Sequence, residues 1–216
     1  MNEEAVGGWH AVLALLERSP ERVLSVCLDR ARQGERRSQL MKAARAAGVA
    51  VEETNAEALD RQAGNNNHQG VVARCRAVAE RNEADFRNFL KELPGKPLLL
   101  VLDGIQDPHN LGACLRSADA AGAQAVILPR DNSSPITPVV RKVASGAAET
   151  LPVFQVTNLA RVLDELKAAG VWLTGAAGEA GQELYDVDLR GPTALVLGAE
   201  GTGLRRLTRD KCDYLV

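Results

Sequence analysis

The sequence predicts a layered α/β protein, and three observations predict it. Short apolar runs alternate with segments of helical periodicity along most of the 216 residues. The run "PLLLVLD", 97–103, is continuously apolar, as a central strand of a parallel sheet is. Two later runs, "VWLTGAAG" at 171–178 and "TALVLGAEG" at 193–201, end in glycine-rich turns, and in open α/β sheets ligands collect outside the carboxyl ends of strands.

Taken in order, residues 1–77 read as a small α/β unit. "GWHAVLALLER" is a helix with Val12, Leu15 and Leu16 on one stripe, and "RVLSVCL" is a short buried strand. Residues 35–48 form a helix ended by Gly48. "VAVEE" is a strand, 55–63 a short helix and "GVVARCRA" a strand. Residues 78–96 are highly charged, place Phe86, Phe89 and Leu90 at helical spacing and end in Pro94-Gly95, so they read as a linker with a short amphipathic helix. The second unit, 97–216, has strands at "PLLLVLD", "AQAVILP", "LPVFQV", "VWLTGAAG" and "TALVLGAEG", with helices between them.

Composition narrows the function classes. With 45% hydrophobic and 25% charged residues the chain can bury a globular core. Aromatic residues are only 3%, so nucleic acid would be held by Arg, Lys and hydrogen bonds more than by base stacking. The net charge of −2 gives no whole-chain basic signature. Local charge is another matter: Arg30, Arg32, Arg36, Arg37, Lys42 and Arg45 face a single acid, Glu35, between residues 30 and 45. That run is either a phosphate-binding surface or a solvated helix face. The four cysteines are scattered and His10, His68 and His109 lie far apart, so no metal site is expected. No signal segment or membrane-length apolar stretch is visible, which implies a soluble, reduced, cytoplasmic protein.

Two segments could carry chemistry. In Asp107-Pro108-His109-Asn110 the proline fixes a turn, and Asn110 is placed to cap a helix starting at Leu111. Leu111, Cys114, Leu115 and Ala118 then form its core stripe. Arg116 lies off that stripe among Gly112, Ala113, Asp119 and Ala120; it is either a surface partner of Asp119 or an arginine aimed at an anionic substrate. In "VLGAEGTGLRRL", 196–207, the glycine spacing is not that of a dinucleotide fold, which disfavours a nicotinamide-dependent oxidoreductase. Glu200 in this turn either orients a substrate or caps the next helix.

"DGIQDPHNLGACLRSADAAGA" resembles the first motif of the SpoU (TrmH-type) RNA ribose methyltransferases, and "LVLGAEGTGLRR" their second. "GWHAVLALLE", "NNNHQGVVARC", "RKVASGAAETLPVFQVTNLARVL" and "LTRDKCDYL" resemble the bacterial subgroup that methylates a guanosine ribose in large-subunit ribosomal RNA. The resemblance covers essentially the whole chain. It implies a knotted, Rossmann-like SPOUT methyltransferase domain after a ribosomal-protein-like RNA-binding domain, S-adenosylmethionine as methyl donor, a ribose 2′-OH as acceptor, and a homodimer with sites drawn from both subunits. On it, Asn110, Arg116 and Glu200 are the catalytic residues, and Thr174, Gly175, Leu197, Gly198 and Gly201 line the cofactor; the basic run, with Arg36, Arg37, Lys42 and Arg45, is expected to contact RNA. The small residues around Arg116 are then expected to leave room for a ribose. A transfer-RNA substrate and a non-catalytic ribosome-assembly factor are the alternatives. The family's third motif would follow Val216. The expectation is that this segment is disordered rather than absent, with the knot incomplete, the groove near Leu197 and Gly198 open, and the cofactor missing from the structure.

Overall fold

The computed structural model describes residues 3–64, 68–77 and 80–216. Asn65, Asn66 and Asn67 of the "NNNHQG" stretch, and Val78 and Ala79 at the start of the stretch read as a linker, lie outside the described residues. The chain forms two compact units, residues 1–79 with 145–150, and residues 80–144 with 151–216.

In the first unit the elements run β1 (Glu3–Gly7), α1 (Trp9–Arg18), β2 (Val23–Asp29), α2 (Glu35–Ala46), β3 (Val51–Thr54), α3 (Ala56–Ala63) and β4 (Val71–Arg76). The strand order is β1-β4-β2-β3, with β2 and β3 parallel and the other pairs antiparallel. Val12, Leu15 and Leu16 of α1 are buried against Val26 and Leu28 of β2 and Leu40 and Ala44 of α2, so the apolar spacing does what it predicts. The His68-Gln69-Gly70 turn is architectural. His68 is buried, its Nδ1 accepts from the Gly70 N–H (3.0 Å), and its Nε2 lies 2.9 Å from an Asp60 carboxylate oxygen. Gln69 accepts from the Trp9 N–H at 3.1 Å, tying the start of α1 to the start of β4.

The second unit begins with α4 (Glu83–Glu92) and continues through β5 (Leu98–Asp103), α5 (Pro108–Ala120), β6 (Ala125–Pro129) and α6 (Pro138–Ala144). The one-turn helix α7 (Ala147–Thr150) packs within the first unit, where Arg22 donates to the Glu149 carbonyl (2.7 Å) and reaches its buried carboxylate. The second unit resumes with β7 (Val153–Val156), α8 (Leu159–Ala168), β8 (Trp172–Gly175), β9 (Thr193–Gly198), α9 (Arg206–Lys211) and β10 (Tyr214–Leu215). Its six strands are all parallel, in the order β10-β8-β9-β5-β6-β7. β5 and β9 are central, which is why their sequences are apolar on both faces.

The stretch read as a linker carries α4, and α4 is part of the second unit's core. Phe86 is fully buried, edge-on to Phe154 at 5.6 Å between ring centroids, and Phe89 lies 5.1 Å from the same ring. Burying one such ring is worth about 2–3 kcal/mol. Asn82 caps the helix by accepting from the Ala84 N–H at 2.8 Å, while Asp85 accepts from the Asn82 N–H in return. Polar links fix its other side. Glu83 accepts from Arg87 (2.8 Å) and Arg161 (2.8 Å), and Arg87 also binds Glu165 of α8 through paired bonds of 3.0 and 3.1 Å.

Burial alone would raise the Glu83 carboxyl. Arg161, the Thr157 N–H and Arg87 outweigh it and hold the group below its ordinary value of 4.5. A depressed carboxyl contributes stability that is full above the unfolded value and disappears as pH falls through the folded one. Glu83→Gln is therefore expected to lower the melting temperature at pH 7, and the gap from the unsubstituted protein should close below about pH 4. Thermal denaturation at pH 7 and pH 3 checks this.

Candidate active site

The site grows from the carboxyl ends of neighbouring strands. β5 pairs with β9 in a parallel register that sets Asp103 beside Gly198. Each strand therefore delivers its following turn to the same edge of the sheet.

After β5 the chain turns at Gly104 (φ 91°) and enters α5. The cap is Asp107, whose carboxylate accepts from the His109 N–H at 2.7 Å. This corrects the expectation that Asn110 caps a helix starting at Leu111. Pro108 needs no N–H partner and its fixed φ suits the first helical position, so the helix starts three residues earlier. Asn110 thus sits inside the first turn, its side chain released from capping. It donates from Nδ2 to a Glu200 carboxylate oxygen at 2.7 Å, across 90 residues of sequence. Cys114, one turn further along α5, is raised above its ordinary value, first by burial and then by the charge of Glu200.

Arg116 does not join this pair. It lies six residues beyond Asn110, about 120° away round the helix axis. Its side chain is exposed, and among the described residues no hydrogen bond or ion pair holds it, so the Asp119 pairing considered from spacing does not form. One of the small residues near it, Gly112, has another purpose. Gly112 is buried against α6, where an added Cβ would lie 2.6 Å from the Val143 Cβ and 2.9 Å from the Val140 carbonyl oxygen. Its size permits helix–helix contact; it does not make space for a ribose.

β9 leads into a loop whose neck is closed by the Ala199 N–H donating to the Gly203 carbonyl (3.1 Å) and the Gly203 N–H donating back (2.9 Å). Gly198 is required by that closure, since a Cβ there would lie 2.0 Å from the Gly203 carbonyl carbon. Leu197 and Gly198 remain partly accessible, and Gly201, at the loop's outer turn, is exposed. At the end of β8, Gly175 is buried, and the space a Cβ would fill is taken by Cys212, Leu204 and Leu215. Burial pushes the Cys212 thiol up to about 11. Beside Gly175, Thr174 is 1% exposed, and among the described residues its hydroxyl has no hydrogen-bond partner.

Sequence reasoning missed Asp103 and Arg205. Asp103 is fully buried; its two oxygens take the Arg205 backbone N–H (2.9 Å) and Nε (2.6 Å). The available signal was a carboxylate closing an otherwise apolar strand, with an arginine just after the glycine loop.

The cations of α2 do not form one stripe. At about 100° per residue, Arg36 and Arg37 flank the buried Leu40–Ala44 face, whereas Lys42 and Arg45 point away from it. Arg37 is committed to an ion pair with Glu53. Arg36, Lys42 and Arg45 are exposed. Among the described residues no cluster of His, Cys, Asp or Glu could hold a metal ion, and no helix is long and apolar enough to cross a membrane.

Two family models match the chain. The SpoU rRNA methylase family covers residues 97–216, and RNA 2'-O ribose methyltransferase substrate binding covers residues 5–81. The chain is 52% identical over 214 residues to the 23S rRNA (guanosine-2'-O-)-methyltransferase RlmB of Shewanella oneidensis, a match spanning 99% of this chain and 87% of that protein. It is 53% identical over 209 residues to the RlmB of Ralstonia nicotianae, spanning 97% and 83%. Among solved structures it is similar to the SpoU methyltransferase AviRb of Streptomyces viridochromogenes, with a TM-score of 0.75 and 24% identity over 99% of this chain and 79% of the other.

The cap assignment is testable without any activity. Asp107→Ala is expected to destabilise the protein by about 1 kcal/mol, the usual loss for a missing cap. Asn110→Ala, which removes no cap, should stay within about 0.5 kcal/mol of the unsubstituted protein. Urea denaturation of both variants decides between them.

Proposed function

The chain belongs to the SpoU rRNA methylase family, and from that premise we infer that it transfers the methyl group of S-adenosylmethionine to the ribose 2′-OH of a guanosine in 23S ribosomal RNA. The observation that carries this reading to particular residues is the Asn110–Glu200 hydrogen bond, which joins the two motif turns at the carboxyl edge of the sheet.

The residues at that edge fit the cofactor. Thr174 offers a buried hydroxyl with no partner among the described residues, and Leu197 and Gly198 on the adjacent strand are partly exposed. These groups, with the outer turn at Gly201, would hold it; Gly175, whose carbonyl accepts from the Val216 N–H at 2.9 Å, would support them from below. When bound, the cofactor supplies an electrophilic methyl group on a sulfonium sulfur.

The protein's own task is to align the ribose oxygen and to take up its proton. Glu200 is an exposed carboxylate with one amide donor, so its remaining lone pairs are available to the hydroxyl proton. Asn110, with its nitrogen committed to Glu200, presents its carbonyl oxygen as a second acceptor. Arg116 acts differently. A guanidinium is a poor base, and its value is to stabilise the developing alkoxide or a neighbouring phosphate. Because Arg116 lies round α5 from Asn110, it serves the site of a second copy, and the working unit is a homodimer. In the N-terminal unit, Arg36, Lys42 and Arg45 meet the RNA backbone, and Arg37, neutralised by Glu53, contributes least.

Labelled methyl should pass from cofactor to unmodified 23S RNA, with the label in a guanosine ribose; RNA binding without transfer would instead indicate an assembly factor. Arg116→Ala and Asn110→Ala should each be inactive, and Arg116→Lys nearly so, since lysine lacks the forked geometry. Mixing the first two should restore about a quarter of the activity, because half of randomly exchanged dimers carry one intact composite site. No recovery would remove Arg116 from the partner's site.

Neutralising Arg36, Lys42 and Arg45 together should weaken RNA binding and flatten its salt dependence by about 0.7–0.9 logarithmic units for each phosphate no longer neutralised. Arg37→Ala should change the slope least. Filter binding across a salt series measures both.

A further inference from the structure

We propose that Asp103 and Arg205 form a positioning pair that sets Glu200 against Asn110, an inference that rests on the methyl-transfer reading above. Neither residue reaches the candidate substrate groups. Asp103 ends β5 and is fully buried, and both its oxygens are occupied by Arg205. Oδ2 accepts the Arg205 backbone N–H at 2.9 Å. Oδ1 accepts Nε at 2.6 Å, and a second guanidinium nitrogen closes on the same oxygen. A carboxylate with no exposure needs such charged partners, so the residue that supplies them is held firmly.

Arg205 is the residue at which the 199–204 loop returns to the body of the unit. The loop's other end is fixed by β9, whose last residue, Gly198, stands in register with Asp103 itself. One aspartate therefore stands beside the entrance and grips the exit of the loop. Between these ends the Ala199–Gly203 bonds close the neck, and Gly201 (φ 80°) and Gly203 (φ 68°) make the turns. Glu200 is exposed and receives a single hydrogen bond from Asn110, which could not by itself fix the loop. The buried anchor makes the carboxylate preorganised in place of mobile.

A positioning role predicts coupling; a general structural role does not. Arg205→Ala should lower kcat about 10- to 100-fold with less than about a 3-fold change in KM for RNA, the pattern of an interaction felt at the reacting centre. Both variants keep the backbone N–H bond to Asp103, and Arg205→Lys, which also keeps a cation, should recover a large part. In a Glu200→Gln background, with residual turnover followed by labelled cofactor, Arg205→Ala should add less than about a 2-fold further loss, because the two residues act as a unit. Equal losses in both backgrounds, or unchanged kcat in Arg205→Ala, would overturn the pair.

Amide hydrogen exchange separates this inference from the reading beneath it. Exchange at Gly203 should quicken in Arg205→Ala while Val101, inside β5, stays protected. If the unsubstituted protein transfers no methyl group yet Gly203 loosens, the function fails and the anchor stands; if Gly203 is unchanged, the anchor fails. Should Arg205→Ala melt below the assay temperature, Arg205→Lys takes its place in each comparison. Its effects should be smaller, and the same results support or overturn the pair.

Discussion

The parallel pairing of β5 with β9 is the constraint on which the second unit's site depends. These strands are separated by almost the whole methyltransferase region of the sequence, yet their register runs unbroken from Leu98 opposite Thr193 to Asp103 opposite Gly198. A slip of one residue would exchange the side chains that face the two helix layers, and with both faces apolar it is the fit of particular side chains in the packed core that holds this alignment. That alignment brings two turns with no local relation to one another within hydrogen-bonding distance. Asn110 meets Glu200 because the strands beneath them are matched, and the caps and glycines then refine where each turn points.

Much of this was legible in the sequence, for a physical reason. Central strands must be apolar on both faces, and "PLLLVLD" and "TALVLG" meet that requirement without ambiguity. Other features depend on long-range facts that no local pattern encodes. β1 has one buried residue, Val6, and β10 spans two residues, so neither produces a periodic signal. The charged stretch after residue 80 shows its helix through the spacing of Phe86, Phe89 and Leu90 but not its place in the core, because α4 needs few apolar side chains to cover Phe154 and fills the rest of its surface with ion pairs. The misplaced cap has a local origin. Asn110 and Asp107 are both good caps, and proline at the first helical position decides between them.

The small residues of the two motifs show how a functional pattern can be misread. Glycines beside a presumed site invite the idea that they make room for a ligand. Here Gly112 admits α6, Gly175 admits the chain around Cys212 and Leu215, and Gly198 admits the loop's own return strand. Each is demanded by packing within the unit. At the same edge Leu197 and Gly198 stay partly exposed, and among the described residues the buried Thr174 hydroxyl has no partner, features that composition alone does not distinguish.

Two carboxylates at the ends of β5 and β9 illustrate how burial assigns chemistry. Asp103 and Glu200 belong to adjacent strand ends, and on sequence either could take a proton. Asp103 is withdrawn from water, and both its oxygens accept from the main chain and guanidinium of Arg205. Glu200 is open to solvent and, among the described residues, accepts from one neutral donor, Asn110. The first carboxylate is committed to holding a loop; the second keeps oxygen lone pairs open to solvent. The arginine that saturates Asp103 also fixes the loop carrying Glu200, so the buried acid places the exposed one.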